Sequence, residues 1–507
     1  MQANLDLPPR DLAIGRLIAQ TLRKPEDYRS RPHVWHEFNN TYIAPLPDLE
    51  IERRLSGAMT QAWVLEPHRR RLEKYGLLDR YPELRARSVD LYREYVKQAF
   101  ESARRMPRLD GYSWWVVSDI PGGVETDVTS YGVLDMLYQP EKFPDRSWFL
   151  QFNGESVLLV DKEIDQRVFS SGETRSLKLF LAHYGTKPVE DGRVAWRVTF
   201  GDRLVQEGRL EGVQAEPGGL RELGSITLGP WNSPAAEKGQ LDLALDSLAC
   251  RATNRWKLWM FPPKKQVPTA GLVVDLTGEP RIAERYASSG TGNLEDASLV
   301  LASKVTPELM RYLCAGGRVI LLDQNAERSA VSRPAVIHDS RRPEPQSAVL
   351  RQPGVLPYWA HWLRCNAQIV EPSAALGDLP HDGFCDFQLM RLFGSAVATV
   401  DFTPRASIAR GKVRPIIWGL SLVPWAEDAS PFNYALAYGG VLTECRVEQG
   451  GLLILNLYLL EGLRRDYPEA GYLLDCIVSY ALSDQFSPPS PPLSSAEAER
   501  LLRIDQP

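Results

Sequence analysis

The sequence predicts a multidomain protein of the α/β plus β class, in which a β-sandwich follows one α/β region and precedes another. Three observations lead to this prediction. The 507 residues are more than one hydrophobic core ordinarily serves, so several domains are expected. The spacing of apolar residues changes along the chain from helical to alternating, and then to short continuous runs. A linker-like stretch, Pro262-Pro263-Lys264-Lys265, follows the alternating region.

Composition restricts the class of function. A hydrophobic content of 44% and a charged content of 24% are typical of globular proteins, and a net charge of −5 gives no reason to expect nucleic acid as a partner. The sequence has no apolar run of roughly 20 residues and no signal-peptide pattern, so we expect no membrane partner and a cytoplasmic location. The six cysteines and seven histidines are scattered without metal-ligand spacing, so neither a metal nor a cofactor is expected.

Residues 1–150 are predicted to be α/β. The strand candidate PHVWHEF precedes helical stretches near 48–75 and over 83–106, the second with apolar residues at spacings of three and four. An apolar strand over 112–119 follows. Strand, helices and strand is the order of a βα repeat, and barrel enzymes keep catalytic groups at the carboxyl ends of such strands.

Both predicted strands end in side chains that suit a sugar site. Aromatic faces stack on pyranose rings, and amides and carboxylates form hydrogen bonds to hydroxyl groups. The same residues suit a structural role, with polar groups capping the next helix and tryptophans in the core. The candidates are His36, Glu37, Asn39 and Asn40 at the first strand, and Trp114, Trp115 and Asp119 at the second.

Residues 155–262 are predicted to form an immunoglobulin-like β-sandwich. Apolar residues alternate with other residues in RSLKLFLAHYG, GRVAWRVTFGDRL and QLDLALDSL, and NRWKLWMFP closes the region. Short strands with a period of two, separated by Gly, Asn and Asp turns, are typical of antiparallel sandwiches.

Residues 267–485 are predicted to form a flavodoxin-like, doubly wound α/β domain. GLVVDL, ASLVLAS, GRVILLD and GLLILNL are near-continuous apolar strands, of the kind that parallel sheets bury on both faces. Helical segments over 305–314 and 467–482 lie between such strands or after them. Residues 486–507 are predicted to be a Pro/Ser-rich tail with one short helix.

Four of these stretches, in this order, resemble family 2 glycoside hydrolases of the β-galactosidase-like type. PHVWHEFNNTYIAPLPDLEIERRLSG is similar to the family's strand with the His-Glu pair, and DGYSWWVVSDIPGGVETDVTSYGVLDMLYQPEKF to its last barrel strand and the segment after it. NRWKLWMFP is similar to the end of the family's sandwich. The α/β region resembles class I glutamine amidotransferases. The resemblance spans roughly residues 30 to 485.

The resemblance implies a retaining glycosidase built on a (β/α)₈ barrel, with a carbohydrate substrate. Glu37 matches the nucleophile position, and His36, Asn39, Asn40, Trp114, Trp115 and Asp119 would line the subsite for the terminal sugar. Retention of configuration needs two carboxyl groups about 5 Å apart, one ionised to attack and one protonated to release the leaving group. Glutaminase activity is not expected, because Lys304-Val305-Thr306 follows the ASLVLAS strand where those enzymes carry a thiol.

The sequence departs from the family where the acid/base carboxylate should be. Only 36 residues precede Glu37, too few for six βα units of roughly 30 residues each, and they contain no Asn-Glu pair. Residues 1–150 are therefore expected to be the last part of a barrel, with the acid/base missing from this chain. Three explanations stay open: a partner chain or upstream segment that completes the barrel, a truncated relative, or a repacked helical cap. A non-catalytic carbohydrate-binding or assembly protein is the alternative function, and homo-oligomerisation is left open.

Overall fold

The computed structural model divides the chain into two compact units. The first comprises the described residues within Met1–Pro67, Pro82–Pro263 and Asp386–Gln388, and the second those within His68–Tyr81, Lys264–Cys385 and Leu389–Pro507. None of the described helices combines the length and the apolar character that crossing a bilayer requires. The described residues are 32, 34–38, 45–51, 65–106, 109–114, 116–121, 128–129, 132–143, 145–161, 167–263, 271–286, 293–322, 355–359, 369–393, 396–402, 411–423 and 435–502.

A pair of parallel strands opens the first unit. Their register joins Val34 to Gly111 and Phe38 to Trp114, with an irregularity between Trp35 and Phe38. This parallel pairing across an intervening helix agrees with the βα repeat expected from the sequence. The elements in this part of the chain are β1 (Val34–Phe38), α1 (Leu65–Tyr75), α2 (Tyr81–Arg105), β2 (Gly111–Trp114), β3 (Ile120–Pro121), β4 (Val128–Thr129) and α3 (Arg146–Asn153), and most of α1 belongs to the second unit.

Phe100 of α2 is the centre of the core beneath these two strands. Its side chain is fully buried, and its ring centroid lies 4.7 Å from that of Phe38 on β1 and 4.9 Å from that of Tyr112 on β2. Rings of α3 complete the cluster, with Phe152 at 5.4 Å from Phe100. The T-shaped contacts of Phe100 with Phe38 and Tyr112 are favourable arrangements for aromatic pairs, so this cluster fixes both strands to the helix.

Residues 156–261 form two sheets that pack face to face. One has the strand order β10-β7-β5 and the other β6-β12-β11-β8-β9, and a single cluster of buried side chains includes residues of both. All pairs are antiparallel except β6 with β12. The sandwich expected from the alternating pattern is thus present. Its strands are β5 (Ser156–Val160), β6 (Val168–Ser170), β7 (Arg175–His183), β8 (Val189–Phe200), β9 (Arg203–Ala215), β10 (Gly219–Leu228), β11 (Glu237–Asp246) and β12 (Arg251–Phe261).

A buried carboxylate joins α2 to the sandwich. Glu101 pairs with Lys97 one turn earlier on the helix, and accepts hydrogen bonds from Asn254 Nδ2 at 2.9 Å and Trp256 Nε1 at 3.0 Å. Burial acts to raise the pKa of Glu101, but the cations of Lys97, Arg105 and Arg167 outweigh it, so the pKa lies below its usual value. The NRWKLWMFP stretch therefore supplies the polar contacts that hold the sandwich on α2.

The same stretch makes a second buried contact within this unit. Lys257 Nζ lies 2.6 Å from Asp386 Oδ2 and 3.1 Å from Glu94 Oε1. Phe387, next to Asp386, stacks on Tyr95 of α2 with ring centroids 5.7 Å apart. Residues 386–388 are thus anchored to α2 and β12 by charge and by ring packing.

In the described part of the second unit, the strands form one nine-stranded mixed sheet. Strands β13, β14, β15 and β21 are parallel neighbours, as expected from their continuous apolar runs, and β20, β18 and β16 extend the sheet in antiparallel fashion. Strands β17 and β19 branch from this path. The strands are β13 (Val273–Asp275), β14 (Leu299–Ala302), β15 (Arg318–Leu322), β16 (Val355–Trp359), β17 (Ile369–Val370), β18 (Ala396–Asp401), β19 (Val413–Val423), β20 (Ala435–Val447) and β21 (Gly450–Leu455).

Helices and the end of the chain cover this sheet. The helices predicted over 305–314 and 467–482 are present within a residue or two of those bounds. The short helix predicted within 486–507 is present as Ser495–Leu502, and it is packed on the sheet, because Leu493, Ala498, Leu501 and Leu502 are buried in one cluster with Val319 and Leu321. The helices are α4 (Pro280–Arg285), α5 (Pro307–Cys314), α6 (Leu459–Arg464), α7 (Pro468–Leu482) and α8 (Ser495–Leu502).

We predict that Glu101→Gln lowers the free energy of unfolding of the first unit by about 3–5 kcal/mol, because Lys97 would stay buried without its counter-charge. The matched control is Glu207→Gln on the exposed strand β9, which should change that free energy by no more than about 0.5 kcal/mol. Urea unfolding, with hydrogen exchange of the 251–261 peptide as the probe, measures both. Equal effects of the two substitutions would contradict the assigned role of Glu101.

Candidate functional site

The carboxyl ends of β1 and β2 lie side by side, because the strands are parallel and Phe38 is opposite Trp114. Glu37 and His36 occupy β1 just before Phe38, and their side chains lie outside the described residues. Asn39, Asn40 and Trp115 lie outside the described residues as well. The structure therefore positions the backbone of Glu37 at the end of a parallel strand, which is where βα folds hold catalytic and binding groups.

Trp114 belongs to the aromatic cluster beneath the strands. Its ring centroid lies 4.7 Å from that of Phe100, 5.8 Å from Phe149 and 6.1 Å from Phe143. The side chain is half-buried by these contacts. One part of the indole is therefore packed in the core, and only the exposed part can contact a ligand.

Asp119 is held in a buried ion pair. Its Oδ2 lies 2.7 Å from Lys142 Nζ, and its Oδ1 accepts a hydrogen bond of 2.7 Å from the backbone N–H of Gly132. Lys142 is fully buried and also donates to the carbonyl oxygens of Gly132 at 3.1 Å and Leu134 at 3.4 Å. Each oxygen of Asp119 thus has a partner in the protein, and the pair ties the segment 132–142 to the chain beyond β2.

Backbone hydrogen bonds also join the residues after β2 to the segment 132–134, and they account for the end of the pairing with β1. The predicted strand over 112–119 is shorter in the structure, since it pairs with β1 as far as Trp114. Beyond it, Leu134 N–H donates to the carbonyl of Val117 at 2.9 Å, and Asp119 N–H donates to the carbonyl of Leu134 at 3.0 Å. The chain after β2 therefore forms its hydrogen bonds with residues 132–134.

Burial raises the pKa of Asp119 to about 6, because desolvation of the carboxylate outweighs the attraction of Lys142 and the Gly132 hydrogen bond. A folded-state pKa above the unfolded value means that the folded protein binds the proton more tightly. The stability that this group contributes is complete below about pH 4 and is lost as the pH rises through about 6. Asp119 is thus ionised above that pH and neutral below it.

Lys142 is the residue at this site that sequence reasoning missed. It stands in the loop stretch PEKF, where a lysine is ordinarily exposed, and its partner Asp119 is 23 residues earlier. The one available signal was the aspartate itself, because a carboxylate at the end of an apolar strand needs a counter-charge when it is buried. Among the described residues, no three His, Cys, Asp or Glu side chains are grouped in a way that could hold a metal ion.

Comparison with known proteins gives one sequence family and several solved structures. Residues 173–262, which include most of the sandwich, match a family model described as a domain of unknown function (DUF8488). No curated protein matches the sequence.

The similar structures match at low identity. β-Glucuronidase from Parabacteroides merdae is 13% identical, covering 33% of this chain and 24% of the enzyme, with a TM-score of 0.15. The chain thus spans about a quarter of that enzyme's length. A family 123 glycoside hydrolase from Clostridium perfringens is 11% identical over 26% of this chain and 32% of that one, with a TM-score of 0.16. The CARDB domain of a Pyrococcus furiosus protein in complex with di-metal ions is 12% identical over 21% and 86%, with a TM-score of 0.16.

We predict that Lys142→Met destabilises the first unit by about 3–5 kcal/mol at pH 8, because it leaves the ionised Asp119 buried without a counter-charge. At pH 5 the loss should be smaller, since Asp119 is then protonated and neutral. Urea unfolding at the two pH values measures the difference.

The matched control is Lys178→Met, which breaks an exposed pair with Glu222 whose side chains are 53% and 47% exposed. Its effect should stay below about 1 kcal/mol at either pH. A Lys142→Met loss that is the same at pH 5 and pH 8 would contradict the role assigned to the charge of Asp119.

Proposed function

We propose that this chain is the C-terminal portion of a retaining glycoside hydrolase of the β-galactosidase-like type, acting on a terminal β-glycoside. The observation that carries the proposal is the parallel pair β1 and β2, with Glu37 next to the last residue of one strand and Asp119 shortly after the other. The order of the four family-like stretches gives it independent support. In this proposal residues 1–150 are the end of a (β/α)₈ barrel, 155–262 an immunoglobulin-like sandwich, and 267–485 an amidotransferase-like domain.

Glu37 is the nucleophile of the proposed reaction. Its ionised carboxylate attacks the anomeric carbon, the bond to the leaving oxygen breaks, and a covalent glycosyl-enzyme forms. A second carboxyl group protonates that oxygen, and as a carboxylate it then takes a proton from the water that releases the sugar. We propose that this acid/base comes from outside the 507 residues, on a partner chain or another segment that completes the barrel.

The remaining candidate residues divide by role. His36, Asn39, Asn40 and Trp115 would contact the sugar directly, together with the part of Trp114 that the core leaves accessible. Asp119 acts through its neighbours in this proposal: by holding Lys142 and the N–H of Gly132 it fixes the segment 132–142 at the end of β2. It is therefore a positioning residue.

A second function has its own supporting observation. Trp114 packs on Phe100 and Phe149, and Asp119 is paired with Lys142, so these two residues already have structural uses. Such a site suits a non-catalytic carbohydrate-binding or assembly protein derived from a glycosidase. The two functions differ in one property, the ability of Glu37 to form a covalent bond to a sugar.

We predict that a panel of 2-deoxy-2-fluoro-β-glycosyl fluorides labels the wild-type chain and fails to label Glu37→Gln. These probes carry their own good leaving group, so the nucleophile can be trapped without an acid/base, and the fluorine slows hydrolysis of the adduct. Intact mass spectrometry detects the added glycosyl group, and peptide mapping assigns it.

Glu216→Gln, an exposed residue of the sandwich, is the control and should label like the wild type. Labelling confined to Glu37 would support the hydrolase. Absence of labelling by any sugar of the panel, with binding of the corresponding methyl glycosides retained, would favour the non-catalytic alternative.

A further inference from the structure

Tyr138 is the most exposed aromatic side chain in the part of the chain that the structure describes. Its exposed fraction is 67%, compared with 50% for Tyr184, the next in order. Single exposed apolar side chains are common and need no explanation by themselves. The conformation and the position of Tyr138 distinguish it.

The backbone of Tyr138 is in the left-handed region, with φ at 62°. Glycine adopts this conformation freely and asparagine tolerates it, whereas a bulky side chain makes it unfavourable. An exposed turn of this shape would be more stable with glycine or asparagine at this position. The tyrosine therefore opposes the local preference of the chain, and residues that do so gather at binding sites.

Asp135 holds this turn in place. Its Oδ1 accepts hydrogen bonds from the backbone N–H groups of Leu137 at 2.7 Å and Gln139 at 2.8 Å, and its side chain is buried. The backbones of Asp135 and Gln139 are joined by a further hydrogen bond of 2.8 Å, and Tyr138 N–H donates to the carbonyl of Asp135 at 3.0 Å. The aromatic ring is thus carried by a turn with little freedom, which lowers the entropy lost when a ligand binds.

The turn is attached to the candidate site. Leu134, next to Asp135, bridges to Ser118 and accepts hydrogen bonds from Asp119 N–H and Lys142 Nζ. The turn therefore follows directly from the segment that is bonded beyond the carboxyl end of β2. Tyr138 is thus joined through Leu134 to the residues that follow β2, the strand that pairs with the one carrying Glu37.

We propose that Tyr138 is a stacking platform for the ring of a saccharide bound at this end of the strands. The C–H face of a pyranose packs on an aromatic ring, and a saccharide also needs polar groups for its hydroxyls, which the exposed amide of neighbouring Gln139 offers. This polar neighbour favours a hydroxylated ligand over an apolar protein surface. The inference rests on the proposed carbohydrate function and adds to it a subsite that no family motif indicated.

Saturation-transfer NMR of the full chain with methyl β-D-galactopyranoside, methyl β-D-glucopyranoside and methyl β-D-glucuronide tests the proposal. Tyr138→Asn should weaken binding of the sugar that the wild type prefers by at least about tenfold, with an unchanged or higher thermal unfolding midpoint, because asparagine tolerates the left-handed backbone. Tyr138→Phe keeps the ring and should bind within about threefold of wild type. Tyr184→Asn, at the second most exposed aromatic position, should bind as the wild type does.

Unchanged binding by Tyr138→Asn would overturn the inference and leave the proposed function standing. No binding of any of the three glycosides by the wild type would also overturn it. If Tyr138-dependent binding persists while the fluoroglycosyl fluorides do not label Glu37, the subsite stands and the hydrolase proposal fails, so the two failures can be told apart.

Discussion

In the first unit, the packing of helix α2 against the sandwich depends on the buried carboxylate of Glu101. It is the common acceptor for Lys97 on the same helix and for Asn254 and Trp256 on β12. A buried charge without such partners would cost several kcal/mol, so the carboxylate permits only those arrangements of helix and strand that supply them. This requirement fixes the orientation of α2 against the sandwich, which apolar contacts alone would not do.

Phe100 links this helix to the two strands of the candidate site. It precedes Glu101 on α2, and its ring packs against Phe38 of β1 and Tyr112 of β2. One turn of the helix therefore binds the sandwich through Glu101 and supports the two parallel strands through Phe100. The strand ends that carry Glu37 and precede Asp119 are positioned by this turn. Beyond β2, Asp119 and Lys142 are likewise a buried charge and its partner, and their pairing fixes the segment 132–142.

The prediction of elements succeeded where periodicity was strong. The alternating strands β7, β8, β11 and β12 and the four parallel strands of the second unit were expected, because a strand that is buried on one face or on both shows it in its sequence. Strands β9 and β10 were not singled out, since β9 is rich in charged and exposed residues. The short helix of the tail was expected but its burial was not, because that burial depends on a sheet surface made by residues such as Val319, far away in the sequence.

The sequence by itself determined the periods of the strands and helices, the order of the regions and the presence of carboxylates at two strand ends, because these properties depend on neighbouring residues. Only the tertiary structure decided what those polar groups contact. Asn254 meets Glu101 across 153 positions, and Lys142 meets Asp119 across 23. Neither pair leaves a local signal, because a buried polar side chain is satisfied by whichever partner the packing of distant segments brings to it.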